Sequence, residues 1–306
     1  MAREEDSIDE TRMTLGEHLD ELRKRLVRGG LAVGLVFIVA WTFYDELAQV
    51  LWEPHYKSVE MLNQDRVEEI EEDLAADPTL DPGEFFVDPD AEPRELLDSQ
   101  RLKVSLQATH PSESFLFALK ISLYVALFGG SPVLLWELWQ FIAAGLYRHE
   151  RRATLRYFPL SAGLFVGGVV FGYFLMMPYA MYFLGGTFEL DLVENNYKVS
   201  DYASMLFQLC FALAVVFQLP VIILFAARLG LIEPKTLGRY RGHFAVGSFV
   251  IAAILTPPDP FTQSLMALPM IVLYEFGILL ARWTGRERVH PDDLGGPGPT
   301  TLAGPA

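Results

Sequence analysis

The sequence has a single cysteine, fewer basic than acidic residues, and no segment with the form of a cleavable signal peptide. Cys210 lies in an apolar stretch, which excludes a disulfide framework and a cysteine metal cluster. The first 14 residues are polar and acidic, unlike a secretory signal. There is no nucleotide-binding loop or other hydrolytic motif. We therefore expect no cofactor, no metal and no nucleic-acid partner, and any energy source must lie outside this chain.

Apolar residues are abundant: they make up 51% of the 306 residues, too many for an ordinary soluble domain. Six stretches are long or apolar enough to cross a bilayer, which takes about 20 residues. The predicted fold class is therefore all-α, a polytopic membrane protein with six transmembrane helices. The fifth span is short and should thin the bilayer locally or lie deep among its neighbours. The predicted spans are 26–46, 114–141, 157–184, 202–229, 240–256 and 261–282.

Several of these spans contain residues that bend helices or bring them together. A proline inside a span removes a backbone hydrogen bond, so we expect kinked helices that enclose a concave surface. Glycines four residues apart favour close helix contact. The prolines are Pro132, Pro178, Pro220 and Pro269, and the glycine pairs are Gly30 with Gly34, Gly163 with Gly167, and Gly168 with Gly172.

The distribution of Lys and Arg between the spans predicts the orientation. Seventeen lie on the side that contains both termini, and six lie on the other side. By the positive-inside rule, both termini are cytoplasmic in the cell membrane. We expect a disordered acidic N-terminus over 1–13, a membrane domain over 14–282 and a flexible cytoplasmic tail over 283–306.

Most of the net charge of −15 belongs to an insert at residues 53–110, which holds sixteen acidic and five basic residues. A strongly solvated acidic surface suits high salt, so we predict a halophilic source and an extracellular location for the insert. Val67, Ile70 and Leu74 indicate a short amphipathic helix, whereas 77–93 contains four prolines and has the composition of a loop. The insert either covers the outer mouth of the concave face or is an inert, salt-adapted loop.

A helix is predicted ahead of the first span. Thr14 and Glu17 have the spacing of a capping box, so the helix should begin at Thr14 and lie along the cytoplasmic interface. On its polar face, Glu21 and Arg25 are four residues apart, and a solvated face of salt bridges is one interpretation of these charges. The apolar face comprises Leu15, Leu19, Leu22 and Leu26.

The loop after the second span carries one acid among three arginines. Glu150 is flanked by Arg148, Arg151 and Arg152. Such a carboxylate can receive an incoming cation, or it can pair with its own neighbours. Both interpretations stay open on the loop alone.

Three segments together resemble the TatC family, the receptor subunit of the twin-arginine protein translocase. They are His18 to Leu26, Phe141 to Ala143 with Leu146 to Arg152, and Leu255 to Asp259 with Gln263. These motifs occur in the order and topology of the family, and the resemblance extends from about Leu15 to Arg282, apart from the insert.

The resemblance implies a function and partners. TatC-like proteins recognise folded cargo through a signal peptide with two consecutive arginines, and Glu21 and Glu150 are the positions implied to receive the guanidiniums. Arg23, with Arg148, Arg151 and Arg152, would hold these acids and contact lipid headgroups. TatA/TatB-like single-span subunits and further copies of the chain would assemble beside the bundle, driven by the proton motive force.

Other matches to the family are single residues. Thr256 and Gln263 are implied contacts to a partner helix, and Asp259 either caps the next helix or contacts that partner. Gln218 stands where many relatives carry Glu. The glutamine keeps the hydrogen bonding of that position and loses its charge. Pro111, Glu113, Phe115 and Lys120 match the segment that enters the second span.

Two ionisable side chains are expected within the membrane. Lys120 is costly if deeply buried and should extend towards the nearer membrane surface. Glu275 lies well inside the sixth predicted span and is either a functional acid or a protonated or hydrogen-bonded packing acid.

Two other classes of membrane protein were weighed against a translocase. An intramembrane protease fits poorly, because Ser248 lacks the following glycine of a rhomboid-like motif and Ala153 replaces the second histidine of an HExxH zinc site. A small-solute secondary transporter is the alternative function, but internal repeats and paired ionisable residues at the midplane are missing. The sequence therefore predicts a non-enzymatic component of protein translocation.

Overall fold

The computed structural model describes residues 15–77, 79–91, 93–101, 105–107, 110, 112–146, 154–186, 196–256 and 259–284. A π-helical turn comprises Gly172–Met176, and a 3₁₀ turn comprises Pro82–Glu84. Two short strands pair in parallel, β1 (Ser105–Gln107) and β2 (Asn196–Lys198). The helices are α1 (Leu15–Thr42), α2 (Tyr44–Ala76), α3 (Glu113–Ala144), α4 (Phe158–Phe171), α5 (Met177–Gly186), α6 (Val199–Val216), α7 (Leu219–Arg228), α8 (Pro234–Arg239), α9 (Arg241–Leu255) and α10 (Pro260–Thr284).

The long apolar helices confirm an all-α polytopic membrane protein. Five stretches in the described part of the chain are long and apolar enough to cross a bilayer. The fifth predicted span, 240–256, is α9, whose 15 residues reach about 22 Å at 1.5 Å per residue. This agrees with the expectation of a short fifth span. The five long stretches are Gly16–Thr42, Glu113–Ala144, Phe158–Gly185, Val199–Arg228 and Pro260–Trp283.

The predicted prolines interrupt two of these stretches. Pro178 follows the π-helical turn, and Pro220 lies at the start of α7, just after the chain leaves α6. At both positions the backbone hydrogen-bond pattern of the helix changes, which accommodates a proline nitrogen that has no hydrogen to donate. An open apolar pocket of about 670 Å³ lies between α3, α6, α7, α9 and α10, which fits the predicted concave surface. Its lining includes Tyr124, Phe207, Phe211, Ile251 and Met270.

Helix α1 runs antiparallel to α3 along most of its length. A Cβ on Gly29 would lie 2.8 Å from Leu134 Cδ2, and one on Gly130 would lie 2.9 Å from Val33 Cγ2. Helix α1 is continuous from Leu15 to Thr42, with no break near residue 26, where the first span was expected to begin. Residues 15–25 therefore extend the same helix and share its packing on α3.

The predicted glycine contacts are correct in only one of the three pairs. A Cβ on Gly168 would lie 2.7 Å from Ala214 Cα, and one on Gly172 would lie 2.8 Å from Cys210 Cα, so this face contacts the backbone of α6. At Gly30 and Gly34 a Cβ would meet no described atom within 4 Å. Gly163 is equally open, and Gly167 makes only ordinary contact with Phe217. Spacing alone does not state which face of a helix meets a neighbour.

Helix α2 and the segment that follows it form one end of the bundle, called the outer end below. Tyr202 Oη donates to the carbonyl of Leu51 at 2.8 Å, and the ring of Trp52 stacks on Phe117 with centroids 5.2 Å apart. The short amphipathic helix expected at 67–74 is the last part of the 33-residue α2. The insert is therefore anchored to the bundle by its own first helix.

The residues after α2, predicted to be a loop, pack around a small core of their own. Phe86 and Leu96 form an isolated antiparallel bridge and are 1% and 3% exposed, and they pack with Ile70 of α2. Arg94 Nη1 lies 3.1 Å from Glu71 Oε1. The backbone of this segment is mostly loop, as its composition predicts. Its buried apolar side chains nevertheless give the segment a fixed position.

Candidate functional site

The opposite end of the bundle, called the basic end below, holds a charged cluster between α1 and α3. Arg25 Nη1 donates to Glu137 Oε2 at 2.9 Å, and Arg25 Nη2 donates to Glu21 Oε1. The side chains of Arg25, Glu21 and Glu137 are 11%, 23% and 14% exposed. One guanidinium is thus held by two carboxylates, and these three residues are called the Glu21–Arg25–Glu137 cluster.

Local sequence and helix packing both create this cluster. Glu21 and Arg25 are one helical turn apart, the spacing at which side chains on a helix meet. Glu137 is brought in by the antiparallel contact of α1 with α3, in which the buried Gly29 lets Leu134 approach. One turn before Glu21, the ring of His18 stacks on Phe141 with centroids 4.4 Å apart.

The cluster carries a net charge of −1, since two carboxylates share one cation. Arg25 contacts each acid through a different terminal nitrogen, so neither contact is the two-point pairing that arginine and carboxylate can form. Its Nε atom is buried without a hydrogen-bond partner among the described residues. The arrangement suits a second guanidinium, because the acids outnumber the base and each holds Arg25 by one oxygen.

The predicted receptor residues are only partly covered by the structure. Glu21 lies in the cluster, and Arg23 is exposed on α1. Whether Glu21 and Glu150 meet in space stays a prediction. Glu150, Arg148, Arg151, Arg152, Ala153 and Pro111 lie outside the described residues.

Sequence reasoning missed Glu137. It is an acid inside a predicted span, and ionisable residues in such positions are functional candidates by default. That signal was available at residues 114–141, but the cation that Glu137 binds lies 112 residues earlier in the chain. No local pattern indicates a pair with that separation.

Lys120 is bound near the outer end. Its Nζ donates to Ser200 Oγ at 2.6 Å and to Ser204 Oγ at 3.1 Å, both at the start of α6. Glu113, one of the other family matches, is buried, and one of its oxygens lies 3.4 Å from the Ser200 backbone nitrogen. Phe115 is exposed and lies edge-on to Trp41. The expected cost of burying Lys120 is therefore reduced by two hydroxyl contacts.

Gln218 lies in the break between α6 and α7 and bonds one residue twice. It accepts a hydrogen bond from Ser161 Oγ at 2.5 Å and donates to the Ser161 carbonyl at 3.1 Å. The neutral amide thus joins the start of α4 to the break. A role in translocation stays a prediction.

The three residues expected at a partner contact all bond within the chain. Asp259 caps α10, since its Oδ1 accepts from the Thr262 backbone N–H at 2.6 Å, which confirms the predicted cap. Thr256 Oγ1 donates to the Ala252 carbonyl at 2.9 Å, and Gln263 Nε2 donates to the Phe249 carbonyl at 2.9 Å. Contact with a partner helix stays a prediction for these residues.

Glu275 is an ion-paired residue. Its Oε1 lies 2.8 Å from Arg241 Nε, and both side chains are about half exposed. Arg241 is the first residue of α9, at the basic end. The contact fits the hydrogen-bonded packing acid considered for Glu275, and a functional role for this acid stays a prediction.

Fold and site together define a multi-pass α-helical membrane protein in which the Arg25 guanidinium is held between two carboxylates at one end. Residues 17–269 match the family model described as Sec-independent protein translocase protein (TatC). The chain is 32% identical over 282 residues to TatC of Desulforapulum autotrophicum, covering 92% of this chain and 89% of that protein. It is 30% identical over 285 residues to TatC of Escherichia coli K12, covering 92% and 94%.

A solved structure gives the same result. The crystal structure titled twin arginine translocase receptor TatC is 31% identical, with a TM-score of 0.65, and the match covers 87% of this chain and 99% of that one. The chain belongs to the TatC family. It is therefore a multi-pass membrane component of Sec-independent protein translocation that works with other Tat subunits, in a family that is not enzymatic.

Family membership decides between the functions weighed from sequence. The translocase prediction is confirmed over the small-solute transporter and the intramembrane protease. The predicted halophilic source is not part of this result and stays a prediction.

Proposed function

We propose that this chain receives the twin-arginine signal peptides of folded proteins, with Glu21 and Glu150 as the acceptors of the two guanidiniums. The observation that carries the proposal is the Glu21–Arg25–Glu137 cluster, in which a guanidinium already lies between carboxylates at the basic end. Its net charge of −1 attracts a further cation. Arginine suits such a site better than lysine, because its planar fork can bind a carboxylate at two points. Arg23, Arg148, Arg151 and Arg152 would support the acids and contact lipid headgroups.

The rest of the assembly is part of the same proposal. The basic end faces the cytoplasm, because Lys and Arg are concentrated on that side of the spans. Single-span Tat subunits dock near Thr256, Asp259 and Gln263, and Gln218 contributes to translocation from the break between α6 and α7. Further copies of the chain join the complex, and the proton motive force supplies the energy.

Photo-crosslinking of a twin-arginine signal peptide to membranes tests the receptor site. The proteins are the wild type, Glu21→Gln and Glu150→Gln, with the crosslinker beside the two arginines. Each substitution removes a charged acceptor and should lower crosslinking about tenfold or more, as expected when one partner of a buried charge pair is lost.

Two controls make this result specific. Glu71→Gln removes the acid of an Arg–Glu pair at the outer end and should crosslink like the wild type. A peptide with two lysines should crosslink weakly to every protein. Equal crosslinking of wild type, Glu21→Gln and Glu150→Gln at equal protein levels would refute the site assignment.

A further inference from the structure

Arg25 creates a problem for the proposed receptor site. It is 11% exposed, and its Nη2 atom holds one oxygen, Oε1, of the Glu21 carboxylate, so a two-point pairing of Glu21 with a signal-peptide arginine has to displace it. If Glu21 were its sole partner, an incoming arginine that took Glu21 would leave a charged guanidinium buried and unpaired. Removing one partner from a buried ion pair is strongly unfavourable, because the remaining charge is not compensated.

Glu137 removes that penalty. It holds Arg25 through a different nitrogen, Nη1, at 2.9 Å, and its side chain is only 14% exposed. Arg25 can therefore lose its one hydrogen bond to Glu21 and remain paired. The net charge also favours the exchange. The cluster alone carries −1, whereas the two carboxylates, Arg25 and one arginine of the peptide together carry no net charge.

We propose that Glu137 is a positioning residue of the signal-peptide site: it retains Arg25 while Glu21 transfers to an arginine of the signal peptide. The inference rests on the proposed function, because it takes Glu21 as an acceptor. Glu137 acts through Arg25 and does not contact the peptide itself. The competing explanation is a purely structural ion pair that fastens α1 to α3.

Binding of a twin-arginine signal peptide to the purified full-length chain in lipid nanodiscs tests the inference. The variants are Glu21→Gln, Glu137→Gln and the double variant Arg25→Gln/Glu137→Gln, with Glu71→Gln as a control ion pair at the outer end. In the described part of the chain, Glu137→Gln leaves Arg25 with Glu21 as its only charged partner. We expect its Kd to rise about tenfold, the equivalent of roughly 1.4 kcal/mol.

The double variant separates the two explanations. Without Arg25 no buried guanidinium competes for Glu21, so its Kd should return to within about threefold of the wild type, which is under 1 kcal/mol. A structural ion pair predicts the opposite, because loss of both charges leaves α1 no better fastened than loss of one. The thermal midpoint of each variant is measured alongside to show that binding does not simply follow stability.

The remaining outcomes identify which proposal fails. If Glu21→Gln loses binding while Glu137→Gln binds like the wild type, the receptor site stands and the role of Glu137 is refuted. If both single variants bind like the wild type, both proposals fall. If the double variant is as weak as Glu137→Gln, Arg25 is not the intermediary and the inference is overturned.

Discussion

At the scale of single residues, the effect of a substitution depends on the atoms that the new side chain would contact. Gly163 and Gly168 lie on the same helix, α4, and differ only in their neighbours. A Cβ at Gly163 would meet no described atom within 4 Å, whereas one at Gly168 would lie 2.7 Å from both Ala214 Cα and the Leu213 carbonyl oxygen. Those are backbone atoms, which cannot rotate away as a flexible side chain can. Gly168 is therefore required for the approach of α4 to α6.

The two glycines provide a matched test. Gly168→Ala forces the helices apart, and we expect a loss of about 1–3 kcal/mol in stability, the usual range for an overpacked core. Gly163→Ala adds the same methyl group in open space and should leave stability unchanged or slightly higher, because alanine favours helix over glycine by about 1 kcal/mol. Thermal unfolding in detergent, followed by tryptophan fluorescence, measures both. Equal thermal midpoints would show that α4 and α6 can move apart to accommodate the methyl group without a loss of stability.

The residues also show which part of the site could be predicted from the sequence. The pairing of Glu21 with Arg25 and the cap formed by Asp259 follow from spacings of three or four residues, and the structure contains both. The bonds of Arg25 to Glu137 and of Arg241 to Glu275 join different helices. Such pairs depend on which helix faces meet, which hydropathy and periodicity do not specify.

At the scale of elements, α2 connects the bundle to the acidic insert. Its first half is bonded to α6 and stacked on α3, and its last part supports the small core around Phe86. Hydropathy identified the apolar spans well, including the short α9. It missed the length of α2, because a helix as rich in charged residues as α2 has no long apolar run.

The insert core can be disrupted without touching the bundle. Phe86→Ala removes a ring that is 1% exposed and should cost the insert about 3 kcal/mol of local stability, at the lower limit for a buried aromatic. Hydrogen exchange in residues 79–101 should then rise, while signal-peptide binding is unchanged. Val87→Ala, at an exposed neighbouring position, is the control and should show wild-type exchange. Loss of peptide binding in Phe86→Ala would contradict the separation of insert and receptor site.

At the scale of the whole molecule, charge is divided between the two ends. The outer end carries the acidic insert, and the basic end carries the charged starts of α1 and α9 and the arginine-containing end of α10. This asymmetry is the basis for the proposed orientation, in which the basic end is cytoplasmic.

The single native cysteine makes that orientation easy to measure. Cys210 is 2% exposed, so it should react poorly with a water-soluble thiol reagent. Ser99→Cys places a thiol at an exposed turn of the insert, and Thr236→Cys places one on exposed α8. In intact cells a membrane-impermeant reagent should label Cys at 99 and label Cys at 236 only after permeabilisation. The reverse pattern would invert the topology.

The antiparallel packing of α1 on α3 also sets the order of events during synthesis. When α1 leaves the ribosome, Arg25 has Glu21 as an acid one turn away, but Glu137 follows 112 residues later, a delay of about 6 to 22 s at ordinary elongation rates of roughly 5–20 residues per second. Glu21 therefore serves as the temporary counter-ion of the nascent helix. Only when α3 is complete can Arg25 be shared, so the carboxylate that we propose as the signal-peptide acceptor becomes available as a result of assembly.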